Sequence, residues 1–161
     1  MSDFALAVYA ADGVSAACLT LQDRLDVDVN VVLFAAYVGA VRAESLTDAG
    51  LVAALDRIGG WHREVVLPLR SVRRRLKGET SPAAAQLRAD LQRLEIDAEM
   101  VELAELGGLA ADEARPSASG TSTERAAAAI GTVLGDELDD EMLAAVGVIA
   151  SASASWSARS G

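Results

Sequence analysis

Residues 28–41, DVNVVLFAAYVGAV, decide the fold. The run is too short to span a bilayer of ~30 Å and carries Asn30 inside it. It does not alternate apolar with polar residues, so it does not read as a half-buried strand. It reads as a helix that is apolar almost all round, and such a helix is buried among its neighbours. Asp26 or Asp28 is placed to cap it.

The flanking sequence supplies those neighbours. Ser2 to Ala11 reads as a short helix, with Ser2 or Asp3 as cap, broken by Asp12-Gly13. A second helix spans Val14 to Leu25, with Val14, Ala17, Cys18, Leu21 and Leu25 on one face. Cys18 therefore reads as a buried small hydrophobe, and as the single cysteine it allows no intramolecular disulfide. A fourth helix starts at the capping-box-like Ser45-Leu-Thr-Asp48 and ends at Gly59-Gly60. A fifth covers Trp61 to Lys77, with a kink expected near Glu64 to Leu67 because Pro68 removes a helical hydrogen bond. Ser81-Pro82 opens the longest helix, near residues 82–113. Its Leu87, Leu91, Leu94, Ala98 and Val101 make a short heptad seam.

The expected fold is thus all-α: a compact multi-helix bundle of about seven to eight helices. The apolar third helix lies at its centre, with a hairpin of helices five and six against it. Residues 1–150 form a single helical domain, divided into a main bundle (1–113), a linker (114–122) and a C-terminal helical pair (123–150) that caps the bundle or forms an interface. Residues 151–161 lack periodicity and are expected to be a disordered tail, with Trp156 unanchored.

Composition limits the function. A formal charge of −10 repels phosphate, so nucleic acid is disfavoured as a partner of the whole chain, and no membrane association is expected. The N-terminus lacks a secretory n-region, so the cytoplasm is the expected location. One histidine, His62, excludes two-His metal sites and most nucleophile–base pairs. His62 reads as a solvated helix-start side chain. Glu95, Asp97, Glu99, Glu102 and Glu105 lie close together on the sixth helix, and Glu95, Glu99 and Glu102 share one face, which reads as a solvated acidic face, since no Glu-x-x-His pair accompanies them. No catalytic residue, metal ligand or cofactor is indicated.

Two polar features stand out. Gln22, Asp23, Asp28 and Asn30 bracket the junction of helices two and three. They satisfy helix ends, or they form a small polar pocket at a helix N-terminus suited to an anion or carbonyl. Arg70, Arg73, Arg74, Arg75 and Lys77 gather five of the 14 basic residues in eight positions. That exceeds what a helix C-terminus needs. Register counting through the turn 78–81 puts Arg63 near Glu95 or Glu99 and leaves this cluster without carboxylates in its own hairpin. A solvated face, an acidic protein partner and nucleic acid are the three readings.

The same segments carry a family likeness. Asp3-Phe-Ala-Leu-Ala-Val-Tyr9, Leu21-Gln-Asp23, Asp28 to Phe34, Val65-Val-Leu-Pro-Leu-Arg70 and Arg73 to Lys77 resemble the DUF2390 family, small proteobacterial proteins of unknown function. The chain departs from that pattern at Ser2 and Tyr37, which stand where the family often carries Trp. The resemblance implies a helical bacterial cytoplasmic protein, supplies no activity, and points to Gln22, Asp28, Asn30 and Arg70. The leading expectation is a non-enzymatic interaction or adaptor protein whose partner is another protein or a second copy of itself, met through the heptad seam. The alternatives are a small-ligand-binding protein using Gln22, Asp28 and Asn30, with the small molecule left open, and a nucleic-acid-associated protein using Arg70 to Lys77.

Overall fold

The computed structural model describes residues 1–112 and 115–160 and places the 28–41 segment at the centre of the molecule. The Asp28 carboxylate accepts the Asn30 backbone N–H at 2.9 Å, satisfying one of the amides that a helix start leaves open. From there the helix is buried on every side, with only Val29 and Tyr37 partly exposed.

Around it the described residues form α1 (Ser2–Tyr9), α2 (Val14–Leu25), α3 (Val29–Ala40), α4 (Asp48–Trp61), α5 (Leu67–Arg75), α6 (Pro82–Asp112), α7 (Ser122–Leu134) and α8 (Asp140–Ser160). The all-α bundle and its long sixth helix follow the sequence closely. The one extended pairing among the described residues is an isolated bridge between Glu44 and Ser117. No single described helix is long and apolar enough to cross a membrane.

Local chemistry set several boundaries elsewhere than the sequence suggests. Gly59-Gly60 does not end α4. The helix continues through Trp61 into a π turn, His62–Val66, and on into α5. There Leu67 N–H bonds back to the His62 carbonyl, and the widened turn absorbs the hydrogen bond that Pro68 cannot make. The expected kink is this π turn. Thr47, not Ser45, caps α4, its hydroxyl accepting the Gly50 N–H at 3.2 Å. Ser45 is committed elsewhere, donating its N–H to the Pro116 carbonyl at 2.8 Å.

The C-terminal part of the chain is core. α7 makes the broadest contact with α3. A Cβ on Gly39 would lie 2.4 Å from the Arg125 carbonyl oxygen, so only glycine permits this approach. Ala126, Ala129 and Ile130 fill the seam. α8 runs to Ser160, which corrects the expectation of a disordered tail over residues 151–161; Gly161 lies outside the described residues. Ser153 is fully buried, its hydroxyl donating to the Ile149 carbonyl at 2.8 Å. Trp156 packs edge-on against Phe4 at 5.3 Å. Small Ala and Ser side chains show no apolar periodicity, yet they let a helix lie close to its neighbours. Of the expected linker, residue 114 lies outside the described residues. The rest is tied down, with Ala118 N–H donating to Ala43 O at 2.9 Å and Arg115 stacked over Phe34 at 5.5 Å.

The long helix is rotated by roughly a quarter turn from its leucine pattern, with Ala98 common to the seam and the buried face. Leu87, Leu94 and Val101 of the heptad seam are exposed, at 51%, 53% and 42%. The buried face carries Glu95, Ala98, Glu102, Leu103, Leu106 and Ala110. The expected solvated acidic face is therefore corrected: Glu95 and Glu102 point inward. α5 has no buried residue and rides on α6, so α6 alone of that hairpin contributes to the core against α3.

Candidate functional site

The inward carboxylates of α6 have partners on two sides. Toward α3, the Asn30 side-chain amide donates to Glu102 Oε2 at 2.7 Å, a buried hydrogen bond. Toward the π turn, His62 Nδ1 stands 3.0 Å from Glu102 Oε1 and 2.9 Å from Asp28 Oδ2. The His62 side chain is 19% exposed and that of Glu102 is 0% exposed. The same Asp28 caps α3, so one carboxylate starts the central helix and grips the histidine. Trp61 donates its indole N–H to the Ala98 carbonyl at 3.0 Å and fixes the π turn against α6.

A single nitrogen facing two carboxylates favours the protonated ring. Hydrogen bonds to Asp28 and then Glu102 outweigh burial and push the His62 pKa up to about 10. The imidazole is thus a cation at neutral pH, clamped between helices. The expectation of a solvated helix-start histidine is corrected. Counting residues from Gly59-Gly60 hides that His62 sits mid-rod, on the widened turn that swings its ring inward.

About two turns further along, Arg70 donates Nε–H to Glu95 Oε1 at 3.0 Å and a second N–H to Glu99 Oε1 at 2.6 Å. Arg73 donates to both oxygens of Glu95, at 3.1 Å for Oε1. Burial pushes the Glu95 carboxyl up, but the hydrogen bonds and charge of Arg73 and Arg70 hold it below its ordinary range. Burial dominates at Glu99 and raises its carboxyl despite Arg70. These pairs correct the expectation that the arginine cluster finds no carboxylate in its own hairpin. Side chains on a helix lean toward its N-terminus, and in an antiparallel pair the two leans converge. Arg70 therefore reaches away from the 78–81 turn while Glu99 reaches toward it, closing an offset that Cα register alone leaves open.

Of the sequence candidates, Gln22, Asp28, Asn30 and Arg70 meet. They line one cavity of about 230 Å³, together with Tyr9, Glu99 and an apolar wall that includes Leu6 and Met100. Gln22, Asp28 and Arg70 also border a second cavity of about 310 Å³, which reaches His62. Asp23 is exposed and lines neither. The basic cluster divides: Arg70 and Arg73 enter the network, whereas Arg74, Arg75 and Lys77 remain exposed. Missed by the sequence reading were His62, Glu95, Glu99 and Glu102 as inward partners, and Tyr9. The available signal was the excess of carboxylates on α6 beside its leucine seam, which marks a second specialised face without saying which face is inside. Cys18 is buried as expected, and burial pushes its thiol up to about 12.

Fold and site define a class: an all-α bundle whose central helix meets its longest helix through a buried, ion-paired polar seam beside two cavities. The chain belongs to the DUF2390 family, described as proteins of unknown function, whose family model matches residues 2–106. Every residue of the polar seam falls within that match, while α7 and α8 lie beyond it. Comparison with curated proteins and with solved structures returns no significant match.

Proposed function

We propose that the protein binds a small amphipathic molecule in the cavity between α1, α2, α3, α5 and α6. The observation that carries this reading is the convergence of Gln22, Asp28, Asn30 and Arg70, from three helices and a helix cap, on one cavity of about 230 Å³. Ligand sites are mostly apolar concavities with a few converging polar groups. Leu6, Val29, Leu33, Ile96 and Met100 supply the apolar wall, and Gln22, Asp28, Glu99 and Tyr9 the polar groups. A hydrogen-bond donor suits this polar end: an amine or hydroxyl rather than an anion. Arg70 is already committed to Glu95 and Glu99, and the carboxylates of Asp28 and Glu99 line the cavity. Native mass spectrometry of the full chain purified from its host should show a retained small molecule, and amphipathic amines should raise the melting temperature. Gln22→Leu and Tyr9→Leu, both outside the core, should abolish both effects with the fold intact. A ligand-free protein that no such amine stabilises would sink the proposal.

A second reading, an interaction protein or homodimer, draws on the outward stripe Leu87, Leu94 and Val101, whose spacing of seven suits pairing with another helix. Sedimentation of Leu94→Arg against the unmodified chain tests it; a concentration-independent monomer in both would remove it. The nucleic-acid reading is left with Arg74, Arg75 and Lys77, since Arg70 and Arg73 are neutralised internally. A compartment in the cytoplasm accords with such roles.

A further inference from the structure

The two carboxylates that meet His62 share an anchor. Asn30 holds one oxygen of each: its backbone N–H donates to Asp28 Oδ1 at 2.9 Å, and its side-chain amide donates to Glu102 Oε2 at 2.7 Å. The remaining oxygens, Asp28 Oδ2 and Glu102 Oε1, are thereby turned toward one point, 2.9 and 3.0 Å from His62 Nδ1. Three donor atoms from three elements, the α3 cap, the π turn and α6, lie within 4.8 Å of one another. Ligand atoms held ~2.0–2.2 Å from a zinc-type cation stand roughly 3.0–3.5 Å apart. Hydrogen bonds that fix the spare oxygen of each carboxylate are what outer shells of metal sites provide. The second cavity, about 310 Å³, is bordered by both Asp28 and His62, which gives an entry path and room for a further ligand.

We propose that Asp28, His62 and Glu102 form a mononuclear site for a divalent transition-series cation, with three protein ligands and an open position facing this cavity. The imidazole nitrogen selects zinc or ferrous ions over Ca²⁺ and Mg²⁺, which take oxygen donors. Binding exchanges the Nδ1 proton of His62 for the metal. One proton leaves, and two positive charges then face two carboxylates, so the three-residue centre becomes neutral. The site does not depend on the amphiphile reading, because the metal is titrated with no small molecule present. Failure of one leaves the other standing.

The test uses the full chain stripped with a chelator. Zn²⁺ is titrated by calorimetry in two buffers of different ionisation enthalpy, and Co²⁺ by its visible absorption. The expected result is one equivalent bound, one proton released, and Co²⁺ bands of a low-coordinate site that excess Mg²⁺ does not abolish. Asp28→Asn, which keeps a capping side chain, and His62→Gln should each weaken binding about tenfold or more, and Asn30→Ser about tenfold. Glu105→Gln, a carboxylate on the exposed side of α6, should leave it unchanged. No saturable binding in the unmodified chain overturns the proposal, and so does binding that survives both Asp28→Asn and His62→Gln. Circular dichroism reports whether each variant folds; if His62→Gln does not, Asp28→Asn decides alone.

Discussion

The central helix α3 is bonded differently along its two sides. Toward α7 and α8 the contact is made mostly of small apolar residues, with Gly39 letting the α7 backbone approach and Ala126, Ala129 and Ile130 filling the seam; Arg125 and Ser157 add hydrogen bonds to the Gly39 and Ala40 carbonyls at its C-terminal end. Toward the π turn and α6 it is made of Asp28, Asn30, His62 and Glu102, each answering another's charge or hydrogen bond. The first side gains from area removed from water and is tolerant of chemistry but not of volume. The second replaces hydration by a few directional bonds, so it is tolerant of volume but not of a missing partner. The lesson is that a chain with very few aromatics holds its core by close approach on one side. The other side is left to polar groups next to the cavities.

Removing Glu102 should break the polar side most. Glu102→Ala strands the Asn30 amide and leaves His62 with Asp28 as its one carboxylate, and should cost about 3 kcal/mol in chemical denaturation. Glu102→Gln, which can still accept from Asn30, should cost less; equal losses would show that the whole effect lies in the charge. On the apolar side, Gly39→Ala places a methyl against backbone that cannot swing away. Overpacking strain of about 1–3 kcal/mol should exceed the gain of up to about 1 kcal/mol from alanine's helix preference. A neutral result would mean that α7 can shift.

Trp156→Ala tests whether the last turns of α8 belong to the core. Trp156 is only partly buried, so a loss of about 1–3 kcal/mol is expected, below the ~3–5 kcal/mol of a fully buried aromatic. Truncation after Ala150 should be worse, since it also removes Ser153. The polar side alone should respond to alkaline pH. His62 has a raised folded-state pKa of about 10, so in metal-free protein its contribution is complete below the unfolded value near 6.5 and declines as pH rises toward 10. His62→Gln should flatten that part of the profile, and Gly39→Ala should not. Smallest of all is Arg73→Met, within about 1 kcal/mol, because its pair with Glu95 is partly solvated and Arg70 remains.

Much of the fold was legible in advance for a local reason. Helix propensity, capping and apolar periodicity act over a few residues, so α2, α3, the Ser81-Pro82 start and the long sixth helix could be read one by one. The site was legible only in its N-terminal half. Gln22, Asp28, Asn30 and Arg70 stood out as polar groups in apolar or crowded surroundings. His62 and the α6 carboxylates did not, because their meaning depends on partners 40 and 72 residues away along the chain. The C-terminal segment failed for a different reason, since alanine and serine carry no periodic signal and show their value only against a close neighbour.

By itself, then, the sequence determined that this is an all-α protein built around the 28–41 helix, with one cysteine inert in its core and a charge that repels phosphate. Tertiary structure alone decided which face of α6 turns inward, which arginines are spoken for, and that Asp28, His62 and Glu102 meet. The physical reason is that a helix with one stripe through Leu87, Leu94 and Val101 and another through Glu95, Glu102 and Leu106 has two usable faces. Only the partners waiting on α3 and the π turn select between them.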